Sequence, residues 1–265
     1  MPVFVEDNYQ FHHELLGKGS FSVVRKGLDR NSKEIVAIKC IDKKSLNTAE
    51  ELAIPQREIQ AIKKLSHHPN AIRLLDWFEN EKHYFLVFEY VRKGTLADWL
   101  ARQPMGLPEP DAQSVIRQIA SAIYHVHSHG LVHVDITPRN VLIDEGGVVK
   151  LGDFGFALDV RAADVSERTG MRGSLHYASP EMRRGEEFDE STDVWSLGIV
   201  AHETLTGMVP PPSSLHPDDV MSFSDSLWSH KSAEARAFVA KLLTPDRALR
   251  PVIEQVLVLD WLALT

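Results

Sequence analysis

The sequence predicts an α+β protein of two lobes, the first rich in strands around one main helix and the second mostly helical. Three observations lead there. Short β-rich runs broken by Gly, Asn, Asp and Ser fill the N-terminal third. From about Gly94 the apolar residues recur at helical spacing instead. Strands that come first, with helices afterwards, segregate into separate parts rather than winding into one alternating sheet.

The elements follow in order. Phe11 to Leu16, Val23 to Leu28 and Ile35 to Ile41 read as strands. Ile59, Ile62 and Leu65 then recur at three-residue steps, predicting a helix with Pro55 in its first turn. Two more strand-like runs cover Ala71 to Trp77 and His83 to Tyr90. Ile116, Ile119, Ile123 and Val126 share one helical face, and Gly130 sits where a C-terminal cap belongs. Val194 to Leu205 is apolar almost all round, as a buried helix is, and Gly207 closes it. The lobes divide near Glu89 to Arg92, within a single domain of residues 1–265, and the cleft between them is the expected small-molecule site.

Composition narrows the function classes. With 265 residues, 43% hydrophobic and 25% charged, the chain is globular and large enough to need no disulfide or metal staple. Its single cysteine, Cys40, excludes an internal disulfide and fits a reducing compartment. Twenty-nine basic against 37 acidic residues, a net charge of −8, give no reason to expect nucleic acid or anionic lipid as the main partner. Glu6 and Asp7 argue against a signal peptide, and no apolar run is long enough to span a membrane. The expected compartment is the cytoplasm, with the nucleus also open.

Four motifs carry chemistry. Gly17-Lys18-Gly19-Ser20-Phe21-Ser22-Val23-Val24 lies between two strands, where glycines let backbone N–H groups approach phosphate oxygens. No helix follows, so a dinucleotide fingerprint is excluded; taken alone, the run reads equally as a hairpin turn. In Val36-Ala37-Ile38-Lys39 the small Ala37 and Lys39 share a strand face, leaving room for a flat ring while the ammonium reaches phosphates. The rival reading is an edge-strand lysine that blocks aggregation. Glu58, with Ile62 one turn on, aims a carboxylate inward from the next helix, where it would pair with Lys39. His133-Val134-Asp135-Ile136-Thr137-Pro138-Arg139-Asn140 and Asp153-Phe154-Gly155 supply the hard oxygens and the base that metal-assisted phosphoryl transfer needs.

Together these motifs resemble those of eukaryotic-type protein kinases of the Ser/Thr class. The match continues through Ser179-Pro180-Glu181, Asp193 to Gly198 and Arg250-Pro251, covering residues 9–262. A looser likeness points to the calmodulin-dependent and AMP-activated group. The resemblance implies a two-lobed kinase fold that uses ATP and Mg²⁺ to phosphorylate Ser or Thr hydroxyls of protein substrates. An activating or scaffold partner is left open, and so is the oligomeric state. By the same resemblance, Leu16, Gly17, Lys18, Gly19, Ser20, Phe21, Ser22 and Val24 would cover the nucleotide, and Lys39, paired with Glu58, would hold the α- and β-phosphates. Phe88 would be the gatekeeper, the backbone of Glu89 and Val91 would bind adenine, and Val24, Ala37 and Leu142 would sandwich the ring. Asn140 and Asp153 would hold Mg²⁺, and Asp135 would take the substrate proton. Ile62, Leu74, His133 and Phe154 would stack as a spine anchored by Asp193, and Glu181 would pair with Arg250.

Three positions depart from the family pattern. Val134 stands where an arginine usually pairs with an activation-loop phosphate, so phosphorylating Thr169 is expected to raise activity little; Ser166 and Ser174 lie in the same segment. Thr137 stands where a lysine usually meets the γ-phosphate, which favours a weak enzyme or a scaffold without phosphotransfer. Arg139 offers a charge two residues on that could replace that lysine; its rival reading is a solvated surface arginine. Arg139 and Thr95 also stand where basic-directed kinases often carry glutamates, so the expected preference for upstream Arg is weaker. The histidines His125, His127, His129 and His133 lack metal-ligand spacing, and the five tryptophans read as packing.

Overall fold

A computed structural model describes residues 4–19, 21–65, 67–210 and 225–263. The N-terminal part is built on β1 (Phe4–Glu6), β2 (Tyr9–Lys18), β3 (Ser22–Asp29) and β4 (Ile35–Asp42), then α1 (Ala49–Leu65), β5 (Leu74–Glu79) and β6 (His83–Glu89). Among the described residues these strands form one antiparallel sheet in the order β1-β2-β3-β4-β6-β5. Alternation along β4 sends Val36, Ile38 and Cys40 into one apolar cluster with Phe11, Phe85 and Val87. Ala37 and Lys39 therefore take the other face, towards α1 and the second lobe.

Helix α1 starts earlier than the periodicity suggests. Thr48 Oγ1 accepts the N–H of Glu51, and Glu51 Oε2 accepts the N–H groups of Asn47 and Thr48, a reciprocal cap that sets the first turn at Ala49. Pro55 consequently lies inside the helix rather than in its first turn. Its missing N–H falls near the N-terminal end, and the inward face of Ile54, Glu58, Ile59, Ile62 and Leu65 holds the helix in place despite it. The strand expected from Ala71 starts only at Leu74. Before it, Leu151 N–H donates to Asn70 O (2.8 Å) and Ile72 N–H to Leu151 O (2.9 Å), tying this segment to the other lobe.

The second part comprises α2 (Leu96–Leu100), α3 (Glu109–Ser128), β7 (Leu131–Val132), β8 (Val141–Ile143), β9 (Val149–Leu151) and β10 (Leu158–Asp159). It continues with α4 (Pro180–Arg183), α5 (Ser191–Thr206), α6 (Asp225–Trp228), α7 (Ala233–Leu242), α8 (Ile253–Val256) and α9 (Asp260–Ala263). Helices α3 and α5 carry the core: Ile116, Ile119, Ile123, Trp195, Leu197 and Val200 are all but inaccessible. Gly207 ends α5 at φ 77°, and a Cβ there would lie 2.5 Å from Pro104 O. One continuous apolar cluster links the lobes, from Ile62, Leu86 and Phe88 through Phe154 to Ile123 and Trp195. Trp195, Trp228 and Trp261 are fully buried, while Trp77 and Trp99 pack partly against this cluster.

Candidate active site

The hairpin between β2 and β3 pairs Gly17 with Val24 and Lys18 with Val23. Gly19 N–H donates to Ser22 O at 2.8 Å to close the turn. Ser20, expected among the nucleotide-covering residues, lies outside the described residues. Leu16, Lys18 and Gly19 are exposed, while Gly17, Phe21, Ser22 and Val24 are partly buried. A Cβ on Gly17 would meet nothing within 4 Å, so open space faces this strand end.

Strand pairing sets the next layer. Val24 faces Lys39 across β3 and β4, and Ala37 faces Phe88 across β4 and β6. Ala37, Val91 and Leu142 pack against the inter-lobe cluster, in which Phe88 is buried. The edge-strand reading of Lys39 fails, because β4 is central in the sheet and its side chain is only 10% exposed. Its Nζ donates to Glu58 Oε1 (3.0 Å), Glu58 Oε2 (2.8 Å) and Asp153 Oδ1 (2.9 Å). Burial works against this ammonium, but the Asp153 and Glu58 carboxylates outweigh it and raise its pKa. Burial pushes the Glu58 carboxyl up to about 7 against the pull of Lys39. Burial opposes ionisation of Asp153 too, yet Lys39, His133 and the Gly155 N–H keep its carboxyl below the usual range.

The loop after β7 is aimed by one buried carboxylate. Asp193 Oδ2 accepts His133 N–H (2.8 Å), Oδ1 accepts Val134 N–H (2.9 Å), and His127 Nε2 lies 2.9 Å from Oδ2. Val134 is held at φ 73°, a left-handed conformation that β-branched residues rarely adopt. Its side chain packs with Val132, Leu158, Ala178, Met182 and Phe188. An apolar contact therefore occupies the place where the resembling family carries a guanidinium.

Asp135 is then oriented from both sides. Oδ2 accepts Asn140 Nδ2–H (2.9 Å) and Oδ1 accepts the Ser174 N–H (2.8 Å). The second contact was not readable from sequence: the Gly173-Ser174 motif marks the segment but not where its backbone points. A Cβ on Gly173 would lie 2.8 Å from Asp135 Oδ1, which explains a glycine at φ 66° there. Thr137 is 3% exposed, and its carbonyl accepts Asn140 N–H. Arg139 is exposed and forms no ion pair among the described residues; the ionisable groups that feel its charge include Asp98, Tyr177 and Glu203.

Asn140 O accepts Gly152 N–H (2.8 Å), placing Asp153 next to the Asn140 turn. Asp153 sits at φ 58°, sending its carboxylate to Lys39 while Phe154 turns into the core 4.7 Å from the His133 ring. Ile62, Phe154 and the partly buried Leu74 share the inter-lobe cluster with that contact. Lys39, Glu58, Asp135, Asn140 and Asp153 thus converge from β4, α1 and two loops.

The oxygens left over suit a hard cation. Asn140 uses its amide N–H on Asp135, leaving Oδ1, and Asp153 uses Oδ1 on Lys39, leaving Oδ2 on a side chain 45% exposed. Among the described residues no group of three or more His, Cys, Asp or Glu side chains could hold a metal alone. An ion here would draw its remaining ligands from phosphate and water. The histidine run has other partners: His125 bonds Leu65 O, His127 meets Asp193, and His129 bonds His125 O. Cys40 is a packed core thiol whose pKa burial pushes up to about 12. No helix among the described residues is long and apolar enough to cross a membrane.

Comparison with known proteins identifies the family. The family model described as "Protein kinase domain" matches residues 10–262. The human hormonally up-regulated neu tumor-associated kinase is 36% identical over 262 residues, 96% of this chain and 37% of the relative. A probable myosin light chain kinase of Dictyostelium discoideum is 31% identical over 270 residues, 98% of this chain and 67% of the relative. The serine/threonine-protein kinase ULK3 of Xenopus laevis is 35% identical over 226 residues, 83% of this chain and 46% of the relative. The chain therefore spans little more than a third of the human relative's length. On the extent of the family match and these identities, the chain belongs to the protein kinase domain family.

Proposed function

We propose that this chain is an ATP-dependent protein serine/threonine kinase, residues 1–265 forming one catalytic domain whose lobes divide near residue 90. One observation carries the reading: a buried lysine clamped by Glu58 and Asp153, beside an Asp135 carboxylate oriented by Asn140 and Ser174. In this proposal Phe88, the backbone of Glu89 and Val91, and the side chains of Leu16, Val24, Ala37 and Leu142 hold the adenosine. The Gly17 to Ser22 turn covers the phosphates, and Lys39 holds the α- and β-phosphates. Asn140 Oδ1 and Asp153 Oδ2 would hold Mg²⁺, which when bound would neutralise charge on the phosphate oxygens.

Asp135 accepts the proton as the substrate Ser or Thr oxygen bonds to the γ-phosphorus and the bond to the ADP oxygen breaks. Thr137 provides no cation, so Arg139 supplies it from the exposed side of the loop. The nearby Asp98 and Glu203 carboxyls feel its charge. Val134 removes the usual arginine route by which a phosphate orders the activation segment, so Thr169 phosphorylation has little effect.

The second reading is a pseudokinase scaffold, favoured by the buried Thr137 in the place of a lysine. One experiment separates them: incubation with ATP and Mg²⁺ on a degenerate peptide library, comparing the unaltered chain with Asp135→Asn. Phosphorylated Ser and Thr peptides that fall ~10²-fold or more in the variant support the enzyme. Thermal stabilisation by ATP with no incorporation in either protein supports the scaffold. Arg139→Ala with unchanged kcat, together with Thr137→Lys that fails to raise it, removes the compensating role of Arg139.

A further inference from the structure

Two adjoining concavities, about 300 and 350 Å³, lie behind the connection between the lobes and share Arg73 and Glu89 as walls. None of the charged side chains that converge around Lys39 and Asp135 lines either one. Each is the size of a small-ligand site, larger than a lone inorganic anion fills, and they meet at Arg73 and Glu89 to form one groove.

The groove's charge opposes that of the protein. Lys33, Arg73, Arg92 and Lys150 line it against Glu34 and Glu89, in a chain whose net charge is −8. Glu89 is already engaged: Oε1 accepts Arg73 N–H (2.9 Å) and lies 3.0 Å from Lys150 Nζ. The other cations are only loosely countered, Lys33 by Asp29. The exposed Arg73 guanidinium forms no ion pair among the described residues. Lys33 Nζ donates to the Arg30 carbonyl rather than to a carboxylate. Arg92 reaches Glu145 only at 4.0 Å, with both side chains mostly in solvent. Leu75 and Tyr90 add apolar wall between these charges.

We propose that this groove docks an acidic peptide segment of a partner protein. A concave wall concentrates the field of its surplus cations, four against Glu34 and Glu89, so it attracts carboxylates locally although the whole molecule repels them. Arg73 stands at the junction of the two concavities, where a chain laid along the groove must pass. An extended segment with carboxylates on successive residues would meet Lys33 and Arg92 at one end and Lys150 at the other, with Arg73 between. The uncharged parts of its side chains would rest on Leu75 and Tyr90. This docking is independent of phosphotransfer and holds for an enzyme or a scaffold.

The test is fluorescence anisotropy with a fluorescein-labelled hexaglutamate peptide, with hexaglutamine and hexalysine as controls. The expected result is saturable hexaglutamate binding that weakens with added salt. It should also weaken ~10-fold or more in the Arg73→Glu, Arg92→Glu double variant, while the controls stay unbound. Lys33→Glu, at an exposed turn, provides a second variant should the first fail to fold. Hexaglutamate binding that neither variant changes overturns the proposal, as does equal binding of hexaglutamine. A labelled oligodeoxynucleotide that outcompetes the peptide through the same residues overturns the choice of partner. So does sedimentation showing self-association that Arg73→Glu abolishes.

Discussion

Replacing Glu181 by Gln keeps the size of the side chain and removes the charge that faces Arg250. The pair is sealed from water, with side-chain exposures of 2% and 0%, and is bidentate: Nη1 to Oε1 at 2.9 Å and Nη2 to Oε2 at 3.1 Å. Breaking such a pair from one side costs about 3–5 kcal/mol, because the surviving charge stays buried. Here Arg250 also donates to the carbonyls of Thr244, Ser191 and Pro245 and lies 5.2 Å from the Trp195 ring. Those acceptors soften the loss, which places the expected cost near 3 kcal/mol, or a fall of about 6–12 °C in Tm. Arg250→Met should cost at least as much, since it strands a buried carboxylate together with three carbonyls. The double variant carries no orphaned charge and should be more stable than the two single losses predict by about 2 kcal/mol. Urea unfolding followed by tryptophan fluorescence measures all three. A Glu181→Gln cost under ~1 kcal/mol, or additivity within ~0.5 kcal/mol, would refute the view that this pair braces the second lobe.

Three further outcomes follow from single side chains. Burial lowers the His202 pKa from 6.5 to about 4, despite its hydrogen bond to Met208 O. The unfolded chain therefore takes up a proton near pH 6.5 that the folded chain refuses until pH 4, so His202 should remove about 3 kcal/mol of stability across that window as pH falls. His202→Gln should flatten that part of a stability–pH curve. Gly207→Ala forces a side chain into the left-handed region and against the Pro104 carbonyl, and should cost about 2 kcal/mol or more by urea titration. Cys40, 8% exposed and with its thiol pushed up to about 12, should react with a thiol-specific reagent at pH 8 only after denaturation.

Most of the site was legible because each motif combines local residues with a local shape. Lys39 and Ala37 share a face because strand side chains alternate, whatever the strand packs against. Glu58 points inward because Ile62 lies one turn away on the same helical face. The Thr48–Glu51 cap carried the same kind of local signal, and it sets the true start of α1 ahead of Pro55. Contacts made by the backbone of distant segments had no such signal. The hydrogen bond from Ser174 to Asp135 spans 39 positions, and the one from Leu151 to Asn70 unites two lobes. In each the donor is a backbone N–H, which no side-chain pattern registers.

The sequence by itself determined the α+β class, the segregation of strands from helices, and the residue types available for phosphoryl transfer. Periodicity and turn chemistry are local, and the spacing of Asp135, Asn140 and Asp153 is written directly in the chain. Tertiary structure alone decided the left-handed backbone at Val134, the addition of Asp153 to the Lys39–Glu58 pair, and the basic groove beside Glu89. The physical reason is common to all three. A strained dihedral persists only where packing over-determines it, and a pKa or a field depends on which charges are brought within a few ångströms and cut off from water. Both are properties of the folded interior, where residues far apart in the chain become neighbours.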